Sequence, residues 1–377
     1  MTDPRVEKLA GLIVNYSLEL GEGRILRIDA SEVGGPLALA IFRAALDVGA
    51  HPYTNVALDG ISELLLSEGS QEQLEYVSPL QWNEIETIDA LVTIWSEANT
   101  RALTRVQPDR QARHLAALRK LSNRRWERIA NGEMRWCGTL FPTHAHAQEA
   151  EMSLEEYEDF VFSACHVDED DPAAHWRLVA ASLAARAEEL ESVRELRIVG
   201  PDTDLRVGVD GRKWVAADGR YNMPDGEVFT SPVETETEGE IRFSFPAVYH
   251  GREVTDVRLR FEGGSVVSAE AARGDDYLQS LLGIDDGARV VGEFAFGLNY
   301  EIDRWTRNIL FDEKIGGTVH LALGSGFPQA GGHNSSGLHW DMICDLRADG
   351  EVYADGELIW KAGRFLTEPA AEVLEHR

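Results

Sequence analysis

Two residues of different chemistry, His339 and Asp341, stand two positions apart in the segment GLHWDMICDL near the end of the chain. The segment is typical of a β-strand, in which side chains two apart point to one face while Trp340, between them, points to the other. An imidazole and a carboxylate side by side form half of a metal site. Taken alone, the motif favours the simpler interpretation, a His–Asp pair that is half-buried or at the surface.

Three further ligand-type side chains occur next to glycine or turn residues in the same half of the chain. His320 lies in the apolar run of GTVHLALGSGF, where a lone histidine is more often a hydrogen-bonded core residue than a ligand. Glu293 stands between RVVG and FAFG, where a carboxylate is costly to bury unless it is paired or bound to a cation. Glu227, in NMPDGEVFTSP, would by itself be a solvated turn residue.

Together these residues form a mixed set of three carboxylates and two imidazoles. Such a set suits zinc, cobalt or manganese better than calcium or magnesium, which prefer all-oxygen shells. Five ligands exceed what one tetrahedral zinc needs, which favours two metal ions about 3.5–4 Å apart that share a carboxylate.

The elements that would position this set belong to the second of two expected domains, over 189–377. Short alternating runs such as DLRVGVDG and EIRFSFPAVY follow one another there, separated by glycine and Asp-Gly turns. This pattern is typical of hairpins, and it predicts a β-rich α+β catalytic domain.

The first domain is expected over 1–188, where strand patterns alternate with helical patterns. Such alternation predicts an α/β fold with a mostly parallel sheet. An amphipathic helix opens the domain, with one apolar face formed by Val6, Leu9, Leu12, Ile13 and Tyr16. The other segments expected are strands at 24–29, 51–58, 88–96 and 135–142, and helices over GPLALAIFRAALDVGA, 108–131 and 173–192.

The charge balance of the 377-residue chain restricts its partners and its surroundings. The net charge is −29, and the basic residues are five lysines against thirty-one arginines. Acidic excess of this size argues against nucleic acid as a partner. Scarce lysine on an acidic surface is typical of proteins that work in high salt, where the Debye length shortens to about 3 Å at 1 M, so we expect a halophilic source.

The sequence is not typical of a membrane protein or a secreted one. No run approaches the roughly 18 apolar residues that a membrane span needs, and the N-terminal segment lacks the basic start and apolar stretch of a signal peptide. Cys137, Cys165 and Cys344 are too scattered for a disulfide framework or a thiolate zinc site, and they are expected to be small buried side chains. We therefore expect a cytoplasmic protein.

Four blocks of the second half resemble the signature blocks of the thermophilic metalloprotease family, which includes aminopeptidase T and aminopeptidase S. These blocks are NMPDGEVFTSP, VVGEFAFGLN, ILFDEKIGGTVHLALGSGF and GGHNSSGLHWDMICDL. The segment RWCGTLFPTHAHAQEAEMSLEEYEDF is also similar to the family, so the resemblance spans most of the chain. Carried over position by position, it implies metal ligands at Glu227, Glu293, His320, His339 and Asp341.

One active-site position departs from the family pattern. The family has a tyrosine seven residues after the first histidine, and this chain has Phe327 there. A hydroxyl that could bind metal or stabilise the tetrahedral intermediate is therefore missing or supplied elsewhere, with Tyr300 as one candidate.

The resemblance implies a metal-dependent aminopeptidase that cleaves the N-terminal peptide bond of unblocked peptides, with water activated by two divalent cations (zinc, cobalt or manganese). It also implies a homodimer. Glu293 is the residue expected to bridge the cations or to act as the base, a nearby free carboxylate being the alternative base, while Asp312 or Glu313 could support the ligands from behind. Because Phe327 replaces the tyrosine, two other readings stay open: another dimetal hydrolase, or a metal-binding homologue with weakened catalysis.

Overall fold

A computed structural model describes residues 3–249 and 251–367 of the chain. Within these residues it has eleven α-helices, and a π-helical turn at Ile13–Ser17 continues the first of them. The helices are α1 (Pro4–Leu12), α2 (Gly35–Asp47), α3 (Ile61–Glu68), α4 (Gln71–Glu75), α5 (Pro79–Thr87), α6 (Pro108–Ala130), α7 (His144–Glu149), α8 (Leu154–Ala164), α9 (Pro172–Leu190), α10 (Asp275–Leu282) and α11 (Ile309–Asp312).

The same residues form twenty strands, most of them in the second half of the chain. They are β1 (Ile25–Ser31), β2 (His51–Ala57), β3 (Ala90–Trp95), β4 (Arg135–Leu140), β5 (Glu195–Gly200), β6 (Thr203–Gly208), β7 (Val215–Ala217), β8 (Asn222–Met223), β9 (Glu227–Thr230), β10 (Thr237–Phe243), β11 (Ala247–Tyr249), β12 (Arg252–Val254), β13 (Val257–Glu262), β14 (Ser265–Glu270), β15 (Val291–Gly297), β16 (Thr318–Gly324), β17 (His339–Asp345), β18 (Glu351–Ala354), β19 (Glu357–Lys361) and β20 (Arg364–Phe365).

One compact unit comprises the chain up to Ala173 together with Arg220–Met223. Its sheet has the strand order β2-β1-β3-β4-β8, and every neighbouring pair is parallel. The predicted α/β fold with a mostly parallel sheet is therefore confirmed, and the four strands expected there lie close to β1, β2, β3 and β4. The expected apolar face of the first helix is buried, through Val6, Leu9, Leu12, Ile13 and Tyr16.

The other unit comprises Ala174–Gly219 and the chain from Pro224 onward. It contains an eight-stranded sheet of order β14-β13-β10-β6-β5-β18-β19-β20 and a five-stranded sheet of order β17-β16-β15-β9-β7, both antiparallel. The two sheets contribute to one buried apolar cluster, which also receives side chains from α9 and α10. This strand-rich unit confirms the β-rich α+β fold predicted for the second half.

The five-stranded sheet presents different chemistry on its two faces. The face toward the apolar cluster carries Phe294 and Phe296 of β15, Leu321 of β16 and Trp340 of β17. Because successive strand residues alternate between faces, the residues between these positions project from the opposite face. That opposite face, called the ligand face below, carries the candidate metal ligands.

The compact units do not test the division at residue 188, which stays a prediction. The structure assigns most of α9 to the second unit. Residues 368–377, which the expected second domain includes, lie outside the described residues.

Among the described residues, no helix has both the length and the apolar character needed to cross a membrane.

Candidate metal centre

The five candidate ligands lie on four neighbouring strands of the five-stranded sheet. Glu227 begins β9, Glu293 lies in β15, His320 lies in β16, and His339 and Asp341 lie in β17. These strands follow one another in the order β17-β16-β15-β9. Residues more than 100 positions apart in sequence are thus brought together on the ligand face.

Glu293 occupies the middle of the cluster. Its Oε1 lies 3.8 Å from Nε2 of His320, and its Oε2 lies 3.3 Å from Nε2 of His339. Oε2 of Glu227 lies 3.6 Å from the same nitrogen of His320, and Oδ1 of Asp341 lies 3.6 Å from that of His339. The two oxygens of one carboxylate therefore face two sets of donors, called here the Glu227 half (Glu227 and His320) and the Asp341 half (His339 and Asp341).

Small side chains leave room for this cluster on the ligand face. Ala322 stands between Glu293 and Asp341 in the cross-strand register, and Ala295 stands opposite His320. Both alanines are completely buried. Directly opposed residues have Cβ atoms about 5 Å apart, so a methyl group at these positions lets the longer side chains converge above it.

A β-bulge places the central carboxylate on the ligand face. The register of β15 against β16 shifts between Val291 and Glu293, and Val291 belongs to the apolar cluster. With regular alternation Glu293 would share the face of Val291, so the extra residue at Gly292 turns it to the other side. A Cβ on Gly292 would lie 2.3 Å from the carbonyl oxygen of Ser325, which only glycine avoids.

Backbone carbonyls orient both imidazoles. Nδ1 of His320 lies 2.9 Å from the carbonyl oxygen of Glu313, and Nδ1 of His339 lies 2.9 Å from that of Ser325. Because a carbonyl only accepts, each Nδ1 carries a proton and donates it. Each Nε2 is thereby directed into the cluster, which is the arrangement of metal-binding histidines.

The chemistry of the cluster fits divalent cations. Oε2 of Glu227 and Oδ1 of Asp341 are buried and accept no hydrogen bond, which is unfavourable for carboxylate oxygens unless a cation compensates them. One donor atom each from Glu293, His339 and Asp341 lies within 4.8 Å of the others. Since all donors are oxygen or imidazole nitrogen, the set suits zinc, cobalt or manganese.

The buried charges shift one another's pKa values. Burial opposes charge on His320, but its contacts with Glu293 and Glu227 outweigh this effect and raise its pKa to about 10. Burial likewise opposes charge on His339, and Asp341 and Glu293 raise its pKa to about 10. Burial favours protonated Glu293, yet the two histidines lower its pKa to about 2. For the outer carboxylates burial dominates, raising the pKa of Glu227 well above its usual range and that of Asp341 to about 6.

Exposure differs between the two halves of the cluster. The side chains of His320, Glu227 and Glu293 are 1%, 8% and 6% exposed, whereas that of His339 is 33% exposed and that of Asp341 is 11% exposed. The cluster is therefore open to solvent mainly at His339, in the Asp341 half.

Lys314 is a member of the surroundings that sequence reasoning missed. It lies just after α11, is completely buried, and directs its Nζ to within 3.9 Å of Oε1 of Glu227. Three charged residues in a row, Asp312, Glu313 and Lys314, look like a solvated loop in sequence. The one signal was their position between two apolar runs, ILF and IGGTVHLAL.

The two carboxylates expected behind the ligands have different surroundings. Glu313 holds His320 through its backbone carbonyl, while its side chain pairs with Lys314. The carboxylate of Asp312 is bound by Thr306, whose backbone N–H and hydroxyl donate to Oδ1 at 2.7 and 2.8 Å.

The position of the family's tyrosine is occupied by a ring that touches a candidate ligand. The ring centroid of Phe327 lies 5.2 Å from that of His339, edge to face, and 5.1 Å from that of Phe229. Tyr300 does not point a hydroxyl at the cluster, because that hydroxyl donates to the carbonyl of Gly363 at 3.0 Å. The phenol is thus replaced by an aromatic wall next to His339.

Comparison with known proteins connects this geometry to a family. A family model described as thermophilic metalloprotease matches residues 2–365. Aminopeptidase 2 of Geobacillus stearothermophilus is 28% identical over 415 residues, covering 98% of this chain and 99% of the relative. Aminopeptidase T of Thermus aquaticus is 34% identical over 225 residues, covering 54% of this chain and 52% of the relative.

A solved structure has the same fold. The structure described as wild-type AmpT from Thermus thermophilus matches with a TM-score of 0.86 at 24% sequence identity. The match covers 97% of this chain and 99% of that one.

Proposed function

Because the chain belongs to the thermophilic metalloprotease family, we propose that its five clustered side chains hold two divalent cations. The family and the named relatives make the chain a metal-dependent aminopeptidase, a hydrolase of peptide bonds. One cation would be held in the Glu227 half and the other in the Asp341 half, with Glu293 shared between them.

This proposal rests on one observation, that the two oxygens of Glu293 face different histidines. Oε1 faces His320 and Oε2 faces His339, so each half has one imidazole, one carboxylate of its own and one oxygen of the shared carboxylate. Carboxylate-bridged pairs of this kind occur in aminopeptidases and other two-metal hydrolases.

The residues of the chain have separable roles in the proposed reaction. When bound, a pair of divalent cations polarises a carbonyl and lowers the pKa of water toward neutrality. The carbonyls of Glu313 and Ser325 keep the two imidazoles in the tautomer that presents Nε2 to the cluster. Glu293 lies at the centre and is our candidate either to bridge the cations or to take the proton of the attacking water. If both of its oxygens bind cations, a nearby free carboxylate takes that proton.

The substrate class follows from how a free α-amino group can bind at the proposed centre. Such a group can offer its nitrogen to a bound cation or pair with a site carboxylate, whereas the nitrogen of a blocked peptide can do neither. We place the amino group on the Asp341 half, where the side chain of His339 is 33% exposed. This arrangement accounts for removal of the first residue of unblocked peptides rather than internal cleavage.

Four wider expectations belong to the same proposal. Zinc, cobalt and manganese are the candidate ions because the donors are mixed oxygen and nitrogen. A homodimer is proposed from the family resemblance, and work in high salt is proposed from the net charge of −29. The cytoplasmic location stays a prediction.

Aminoacyl reporter hydrolysis in high salt tests the proposal. The protein is treated with a chelator and assayed on paired free and N-acetylated substrates after addition of zinc, cobalt or manganese. We expect activity only with metal and only on the free substrates. We also expect Glu293→Gln to abolish it, whereas Glu357→Gln at an exposed position, which changes the charge equally, leaves it intact.

The outcomes separate the alternatives. Two bound ions without hydrolysis of any free aminoacyl substrate would favour another dimetal hydrolase or a weakened homologue. The specific observation behind the weakened homologue is Phe327, whose ring contacts His339 and brings no hydroxyl. Full activity after chelation would contradict the proposal itself.

A further inference from the structure

We propose that Lys314 is a positioning residue of the metal centre, whose buried ammonium group fixes the orientation of Glu227 and so controls cation binding in the Glu227 half alone. This inference rests on the proposed two-cation function. Lys314 touches neither substrate nor the reacting atoms in this account, and it acts through Glu227.

Lys314 is buried among carboxylates. Its side chain is 0% exposed, and lysine is almost never fully buried unless it is paired. Its Nζ lies 3.9 Å from Oδ1 of Asp225 and 3.9 Å from Oε1 of Glu227, and it contacts the carboxylate of Glu313. One lysine is therefore surrounded by three carboxylates, only one of which is a candidate metal ligand.

The two oxygens of Glu227 have different neighbours. Oε1 faces Lys314, whereas Oε2 faces His320 at 3.6 Å and accepts no hydrogen bond. The ammonium thus attracts one oxygen electrostatically across 3.9 Å and leaves the other directed at the cluster. A carboxylate held in this way does not need to be reoriented when a cation arrives.

Backbone hydrogen bonds hold Lys314 itself in place. Its N–H donates to the carbonyl of Phe311 at 2.9 Å, and its carbonyl accepts from the N–H of Asn299 at 3.2 Å. Nδ2 of Asn299 in turn donates to the carbonyl of Asp225 at 2.9 Å. The lysine and the strand that begins at Glu227 are therefore linked through one asparagine.

The backbone at Gly226 also lies close to Asn299. Gly226, which precedes Glu227, has φ of +121°, and a Cβ there would lie 2.9 Å from Cβ of Asn299. Only glycine fits this conformation and this space. The backbone that carries Glu227 is thus held against Asn299.

The contacts of Lys314 restrict its effect to the Glu227 half of the cluster. Lys314 pairs with Glu227, and its neighbour Glu313 holds His320 through the backbone carbonyl. The imidazole of His339 is held instead by Ser325. Loss of the ammonium should therefore weaken one cation site and spare the other, which a general loss of stability would not do.

Metal titration of Lys314→Met tests the inference. Methionine is unbranched and one atom shorter than lysine, so it replaces the apolar stem without the charge. We expect the dissociation constant of one of the two sites to rise about 10–100-fold, the usual effect of losing a partner of a metal ligand. The matched control is Lys361→Met, which removes the same charge from a side chain that is 59% exposed and paired with Glu351, and it should leave both sites unchanged.

Two additional measurements make the result specific. The visible absorption of the cobalt-loaded protein reports ligand geometry, and we expect the band of only one of the two cobalt ions to change in Lys314→Met. In the Glu227→Gln background the same substitution should have little further effect, because residues that act through each other are not additive. Circular dichroism verifies folding, and Lys314→Gln replaces Lys314→Met if the latter does not fold.

The possible outcomes distinguish this inference from the function on which it rests. If wild-type protein binds fewer than two ions or lacks aminopeptidase activity, the proposed function fails. If wild-type protein binds two ions and is active, but a folded Lys314 variant binds both ions normally or weakens both equally, the positioning role of Lys314 is overturned.

Discussion

Metal binding should release protons from the two histidines of the centre, and their number can be derived from the structure. In the metal-free protein the contacts of His320 and His339 with carboxylates raise both pKa values to about 10. Both imidazoles are then protonated at pH 7.5. A cation binds the neutral imidazole, so binding must displace one proton from each ring.

The direction of the pH dependence follows from these raised pKa values. Below pH 10 the cation competes with protons, so metal affinity should rise with pH by up to about tenfold per pH unit for each histidine. At pH 7.5 the competition amounts to about 3 kcal/mol per ring, since one pKa unit corresponds to about 1.4 kcal/mol. Glu227, whose pKa is also raised, can contribute a third proton.

Calorimetric titration in two buffers of different ionisation enthalpy counts these protons directly. We expect between about two and three protons released per fully loaded centre at pH 7.5, and an affinity that increases from pH 6.5 to 8.5. His339→Gln should reduce the count by about one, whereas His51→Gln, at an exposed position, should not change it. A release of less than one proton, with affinity independent of pH, would refute the assignment of the histidines as ligands.

Three further expectations concern the pocket, the sheet and the surface. Phe327→Tyr returns a hydroxyl beside His339, and if that hydroxyl stabilises the tetrahedral intermediate kcat on a free aminoacyl reporter should rise, by up to about 10²-fold for one added donor; an unchanged kcat would show that this chain does not use the group. Ala322→Val adds two methyl groups between Glu293 and Asp341 in a fully buried position, so we expect a loss of about 1–3 kcal/mol in the free energy of unfolding together with weaker metal binding. Wild-type affinity for both ions in a folded Ala322→Val variant would argue against the convergence of those carboxylates. Because the net charge is −29, the melting temperature should rise as sodium chloride is increased from dilute to molar; a fall would count against a halophilic origin.

The alternation of strand residues was the most informative feature of the sequence. It placed His339 and Asp341 on one face and Trp340 on the other, and in the structure Trp340 joins the apolar cluster while Oδ1 of Asp341 lies 3.6 Å from Nε2 of His339. A different pattern, strand segments that alternate with helical segments, predicted the parallel sheet of the first half. Local periodicity therefore predicts which way side chains point when each face of a strand has its own chemistry.

Alternation alone would have misplaced Glu293. Counting by twos from the apolar Val291 puts Glu293 on the core face, and the bulge at Gly292 reverses this. Only glycine fits at position 292, because a Cβ there would lie 2.3 Å from the carbonyl oxygen of Ser325, which follows β16, and this is a tertiary contact. The family resemblance supplied what the local pattern lacked.

The surroundings of the ligands were beyond the reach of sequence reasoning. Lys314 and Asp225 are charged residues next to turns, and such residues are usually solvated. Their burial arises only when α11 and the segment before β9 pack together on the ligand face. The edge-to-face contact of Phe327 with His339 arises in the same way, from two segments that follow different strands.

Anomalous diffraction from crystals loaded with zinc or manganese tests the central claim most directly. We expect two peaks about 3.5–4 Å apart, with Glu293 bonded to both, Glu227 and His320 bonded to one, and His339 and Asp341 bonded to the other. A single peak, or peaks beyond bonding distance of these five side chains, would contradict the two-cation centre.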